Sequence, residues 1–127
     1  MPAHRRLRIL LVDDEPDILL LLQAMLSAAA WEVVGKATSG ESALRISTDI
    51  SPDVAVIDYM MPGMHGMELA ERLKAIHPEC DVLIFSAFDV REEALGSPHV
   101  DHFLHKTQVA RLEGVLREIA DRKDFAG

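Results

Sequence analysis

Val54-Ala55-Val56-Ile57-Asp58-Tyr59-Met60-Met61-Pro62-Gly63 joins an unbroken, β-branched apolar run to an acid and then to a turn. Four apolar residues are too few for a helix, and no alternation marks one side as wet. Such a run suits a strand covered on both faces, as in a parallel sheet. Outward from it, Ile9-Leu10-Leu11-Val12, Glu32-Val33-Val34 and Val82-Leu83-Ile84-Phe85 have the same character, and His102-Phe103-Leu104-His105 is a weaker fifth run.

Helical patterns fill the intervals. Pro16 to Ala30 opens with a proline suited to a first turn, and Glu15 and Asp17 complement the helix dipole there. Ser39 to Ile46 reads as a short second helix, and Gly66 to Ile76 as a third with Met67, Ala70 and Leu73 on one face. Val90 to Leu95 makes a short fourth, ended by Gly96, Ser97 and Pro98. The last, about Gln108 to Lys123, places Leu112, Val115, Leu116 and Ile119 on one stripe, with Thr107 as its expected N-cap. Strand and helix alternate five times, which predicts right-handed crossovers and a doubly wound, three-layer α/β sandwich.

The chain has 127 residues, a length that suits one compact domain, and no repeat or linker divides it. A single domain over 1–127, with a core of about 7–122, is therefore expected. Its 21 acidic and 13 basic residues give a net charge of −8, which argues against a surface built to neutralise nucleic-acid phosphates. Arg5, Arg6 and Arg8 precede an apolar run, but Asp13 and Asp14 stop it too early for an export signal or a membrane span. The single Cys80 cannot form an internal disulfide and reads as a small, half-buried residue before a strand. A cytoplasmic location is the expectation.

In an open α/β sheet, sites form beyond the carboxyl ends of the strands. The first run ends in Asp13-Asp14, the third in Asp58, the fourth in Ser86 and the fifth in Lys106. Three carboxylates, a hydroxyl and an ammonium would thus meet at one sheet edge. Two carboxylates about 4 Å apart repel by roughly 4 kcal/mol at an effective dielectric near 20, so the group must take up protons or a cation. An all-oxygen site with room for waters suits Mg²⁺, with Mn²⁺ as a substitute. Asp58 becomes a candidate nucleophile that forms an acyl phosphate, while Ser86 and Lys106 hold the other phosphoryl oxygens. Taken singly, Asp13, Asp14 and Asp58 read equally as helix caps, loop or turn residues, while Ser86 and Lys106 read more readily as a cap and a solvated lysine. Their joint placement, in order, carries the argument.

These residues resemble the response-regulator receiver family over about residues 7 to 122. The motifs are Leu11-Val12-Asp13-Asp14-Glu15-Pro16, Val56-Ile57-Asp58-Tyr59-Met60-Met61-Pro62-Gly63-Met64, Ile84-Phe85-Ser86-Ala87 and Phe103-Leu104-His105-Lys106. The resemblance implies a flavodoxin-like (βα)5 fold with a five-stranded parallel sheet in the order 2-1-3-4-5. It implies that Asp13, Asp14, Asp58 and the Met60 backbone carbonyl hold Mg²⁺, with Asp58 also the phosphoacceptor. Lys106 would pair with Asp58 and later with the phosphoryl group. Ser86 would move toward that group, and Phe103 would be the switch aromatic that turns inward with it. The implied donor is a phosphohistidine on a sensor histidine kinase or a histidine phosphotransfer protein, and a homodimer is a further expected partner. None of the six histidines reads as that donor; each reads as surface or ordinary loop chemistry.

Three features depart from the family's pattern. Thr107 stands where proline is usual, so a trans bond after Lys106 is expected, because cis would cost about 3 kcal/mol. The stretch between Ser86 and Lys106 is a residue or two short, which predicts a truncated or mobile fourth helix and an unusual output surface. Met60 and Phe88 stand two residues past Asp58 and Ser86, where apolar groups should hinder a hydrolytic water. Two other functions compete with the phospho-accepting switch. A phosphatase of the haloacid-dehalogenase type would place its nucleophile after the first strand, with a second Asp two residues on; Glu15 occupies that position here. A receiver in shape only, acting without phosphorylation, would not need the intact Asp13, Asp14, Asp58, Ser86 and Lys106.

Overall fold

The structure, a computed structural model, describes residues 6–27 and 31–123. Five parallel strands, β1 (Leu7–Val12), β2 (Trp31–Ala37), β3 (Val54–Asp58), β4 (Asp81–Ser86) and β5 (His102–His105), form one sheet in the order β2-β1-β3-β4-β5. Between and after them run α1 (Pro16–Met25), α2 (Gly40–Asp49), α3 (Gly66–Ile76), α4 (Arg91–Leu95) and α5 (Leu112–Arg122). A 3-10 helix, Lys106–Arg111, leads into α5. The expected fold and strand order are both present.

The strand alternation explains why both faces are covered. Leu7, Ile9, Leu11, Val54, Val56, Leu83, Phe85 and Leu104 point to one side and pack with Leu19 and Leu22 of α1 and Leu112, Leu116 and Ile119 of α5. Leu10, Val12, Ala55, Ile57, Val82, Ile84 and Phe103 point to the other and pack with Ala43 of α2, Leu69 and Leu73 of α3 and Ala94 of α4. Each fully buried Leu or Ile contributes about 2 kcal/mol of transfer free energy, so truncating Leu83 at the centre would cost about 3 kcal/mol. Trp31 opens β2 under α5, its indole N–H donating to Glu113 Oε2 (3.1 Å) with the Arg117 guanidinium 5.0 Å from the ring.

Several local expectations change. In α1 the four consecutive leucines Leu19 to Leu22 divide, with Leu19 and Leu22 in the core and Leu20 and Leu21 65% and 49% exposed. That helix ends at Met25; its expected extension to Ala30 runs partly into 28–30, outside the described residues. Helix α2 begins one residue later than expected and runs on to Asp49, with Ser39 Oγ accepting the Ser42 N–H as its cap (3.1 Å). Cys80 is fully buried rather than half-buried, and desolvation pushes its thiol up to about 12.

The fourth helix is as short as expected, five residues with Ala94 alone buried. Thr107 is not an N-cap: it lies inside the 3-10 helix, and the cap is His105. Its Nδ1 accepts the Thr107 N–H (3.2 Å), while Gln108 Oε1 accepts the His105 N–H (3.4 Å). A non-helical Gln108 (φ −101°, ψ 26°) then keeps α5 from starting before Leu112. The peptide bond after Lys106 is trans, as the absence of proline led us to expect.

Candidate functional site

Strand register builds the site. Val12 pairs with Ile57, which sets Asp13 beside Asp58, and Asp58 itself pairs with Phe85. Ser86 pairs with His105, so Lys106 comes one residue past the last pair of the sheet. The chain must then leave each strand immediately, and the turns that follow are built for it. Asp13 donates its N–H to the Ala37 carbonyl (3.1 Å), and its Oδ1 accepts the Glu15 N–H (2.9 Å). Gly63 turns the loop after β3 with φ 78°, a conformation that favours glycine. Gly66 opens α3 so close behind the acceptor loop that any Cβ would collide with the Asp58 carbonyl oxygen.

Carboxylate oxygens of Asp13, Asp14 and Asp58 lie within 4.8 Å of one another. Asp13 and Asp58 are buried, at 1% and 6% exposure, while Asp14 is half-buried. Lys106 Nζ reaches Asp13 Oδ2 at 2.7 Å, Asp58 Oδ1 at 3.3 Å and, at the rim, Glu15 Oε1 at 4.0 Å. The expected Lys106–Asp58 pair is present, but Asp13 is the nearer partner. Phe85 backs the ammonium, with its ring centroid 5.9 Å away.

One ammonium cannot neutralise three acids. Burial, then the Asp13 charge, raise Asp58 from 3.8 to about 7 against the opposing pull of Lys106. Lys106 loses hydration on burial, but its bonds and charge contacts with Asp13 and Asp58 more than offset this and raise it. A hard divalent cation with oxygen ligands suits this surplus of negative charge, and the three carboxylates could hold one.

Ser86 is fully buried, and its Oγ accepts the Phe88 N–H (2.8 Å). Phe103 is already inward, 9% exposed and part of the core on the α2–α3 side, rather than waiting outside it. Met60 and Phe88 are 50% and 53% exposed.

Sequence reasoning missed the polar partners around this edge. Tyr59 donates its hydroxyl proton to the Glu93 carboxylate, with the oxygens 2.8 and 2.9 Å away, and that bond is the main reason its phenol is held above its ordinary value. The histidines are not plain surface chemistry either. His65 Nδ1 caps α3 by accepting the Met67 N–H (3.2 Å), His77 Nε2 contacts the Ser47 carbonyl (2.7 Å), and His102 pairs with Asp81 (2.9 Å). His65 carried a local signal, an acceptor two residues ahead of a helical stripe. The Tyr59–Glu93 pair spans 34 residues and carried none.

A family model described as the response regulator receiver domain matches residues 9–117. Chemotaxis protein CheY of Thermotoga maritima is 27% identical over 116 residues, covering 89% of this chain and 97% of that protein. A protein-glutamate methylesterase/protein-glutamine glutaminase of Trichodesmium erythraeum is 36% identical over 87 residues, but the match covers only 25% of its length. Among solved structures, the response regulator TrrA of Thermotoga maritima in complex with Mg²⁺–BeF superposes with a TM-score of 0.79 at 28% identity, covering 88% of this chain and 97% of that one. With the fold, the strand order and the acid cluster in place, the chain belongs to the response-regulator receiver family and has its phospho-accepting role in two-component signalling.

Proposed function

We propose that Asp58 is the phosphoacceptor, in a Mg²⁺-dependent reaction whose donor is a phosphohistidine on a sensor histidine kinase or a histidine phosphotransfer protein. The observation that carries this reading is the convergence of Asp13, Asp14 and Asp58 within 4.8 Å with Lys106 Nζ set between Asp13 and Asp58. An Asp58 carboxylate oxygen attacks phosphorus, and the donor nitrogen leaves with the electrons of the broken P–N bond. Lys106, released from Asp58, follows the charge onto the phosphoryl oxygens, and Ser86 Oγ–H donates to another of them. Asp13, Asp14, Asp58 and the Met60 carbonyl would hold Mg²⁺, with Mn²⁺ as the substitute, and the bound cation supplies charge neutralisation for the incoming phosphoryl group.

The product is an altered surface rather than a released metabolite, so the chain acts as a switch and not as a turnover enzyme. We assign residues 1–127 to one receiver unit. It acts in the cytoplasm without contacting nucleic acid directly, and a homodimer is a further partner; Phe103 serves as the switch aromatic, with its inward position here as one of its two settings. The acidic balance supports the reading that nucleic acid is not contacted directly; among the described residues no helix is long and apolar enough to cross a membrane.

Incubation with Mg²⁺ and acetyl phosphate tests the main claim by intact mass. One added phosphoryl group is expected in the wild type and none in Asp58→Ala; a gain that survives this substitution sinks the assignment. Met60 and Phe88, both half exposed, stand where they would crowd an approaching water, so the acyl phosphate should persist for hours. Loss within minutes, without a phosphatase, would show that they do not shield it.

A further inference from the structure

Tyr59 follows the acceptor directly, and its side chain touches the loops on both sides. Its ring meets His65, the cap of α3, edge-on with centroids 4.4 Å apart and planes at 82°. On the other side Phe88 of the β4–α4 loop lies tilted at 6.4 Å. The phenol then reaches over to the Glu93 carboxylate in the middle of α4. Helix α4 has little else to hold it: five residues, no side-chain cap, and a single buried side chain.

A continuous path of hydrogen bonds also joins α4 to Ser86. Ser86 Oγ accepts the Phe88 N–H (2.8 Å), the Phe88 carbonyl accepts the Val90 N–H (3.0 Å), and the Val90 carbonyl accepts the Ala94 N–H (2.9 Å). A shift of Ser86 toward a phosphoryl group on Asp58 therefore pulls on α4 through three bonds. Tyr59 ties the same helix to the end of β3. Both connections end on this one short element.

We propose that the Tyr59–Glu93 hydrogen bond is a latch that holds α4 in its unphosphorylated position, so that Tyr59 and Glu93 are positioning residues setting how readily the phosphorylated state forms. This rests on the assignment of Asp58 and Ser86 made above. Tyr59→Phe removes one oxygen and keeps the ring contacts with His65 and Phe88. Glu93→Ala removes the exposed partner. Because the latch favours only the unphosphorylated arrangement, losing it should help any ligand that selects the other one.

The test is calorimetric affinity for beryllofluoride in saturating Mg²⁺, alongside the affinity for Mg²⁺ alone. Each single variant should bind beryllofluoride about fivefold more tightly, the change expected for one net hydrogen bond to a partly solvated charge. The double variant should gain no more than either single one, and the Mg²⁺ affinity should stay unchanged in all three. A helix merely weakened would lower thermal stability without tightening beryllofluoride. Unchanged or weaker binding in the variants, an additive double variant, or a parallel shift in Mg²⁺ affinity overturns the latch while the acceptor assignment stands. A wild-type chain that neither binds beryllofluoride nor gains a phosphoryl group from acetyl phosphate overturns both.

Discussion

The two ends of the sheet each bury an aspartate, and the two are treated in opposite ways. At the amino-terminal end Asp81, 5% exposed, is met by His102 Nε2 at 2.9 Å, Lys123 Nζ at 3.2 Å and the Arg122 guanidinium. Burial alone would raise its pKa, but those three donors outweigh burial and hold it down to about 2. At the carboxyl-terminal end Asp58, equally buried, shares one lysine with two other acids and is pushed up to about 7. One end is finished as a folded structure; the other is left short of positive charge. That shortage favours a metal and a phosphoryl group, at a cost to the stability of the empty protein.

The largest expected effect breaks the finished end. Asp81→Ala leaves Lys123 and Arg122 facing the strand ends without their acid, and stability should fall by about 3 kcal/mol in urea unfolding. The opposite sign is expected at the other end: without metal at pH 8, Asp58→Asn should stabilise the protein by about 2 kcal/mol, because a charge the site cannot neutralise is gone. Equal losses from both substitutions would show that the two ends do not differ.

The pH dependence sharpens the contrast. For Asp58, unfolded and folded chains both hold the proton below pH 4, and only the folded chain holds it between about 4 and about 7. Its contribution therefore favours folding at low pH and is lost as pH rises through about 7. For Asp81 the contribution is present above about pH 4 and lost as pH falls toward about 2. Subtracting the unfolding curve of each Asn variant from that of the wild type should reveal these two windows, and saturating Mg²⁺ should flatten the first alone. The smallest effect concerns Lys106. His105→Ala removes the cap behind it and should cost about 1 kcal/mol, with slower phosphoryl uptake as Lys106 loses its fixed exit from β5.

The acceptor end was legible in the sequence because a polar residue closing a buried strand interrupts a visible pattern. Asp13, Asp58, Ser86 and Lys106 each follow an apolar run, and parallel register brings them together without further information. The finished end was not legible. Asp81 reads as an ordinary acid at a strand start, and its partners arrive from 21 and 41 residues away. The same holds for Tyr59 and Glu93, whose meeting depends on how α4 packs. The capping role of His105 was hidden for a different reason: an imidazole accepts hydrogen bonds as readily as a hydroxyl, and Thr107 beside it looked like the better cap.

Cys80 carries a practical consequence. It is the molecule's one thiol, 1% exposed and held protonated to about pH 12, so maleimides and oxidants meet almost no thiolate there. A cysteine introduced on the exterior would then be the single reactive address on the chain. A pair of spin labels, one on α4 at the exposed Leu95 and one on α3 at the exposed Ile76, would turn the position of the fourth helix into a distance that can be followed as the acceptor is loaded and emptied.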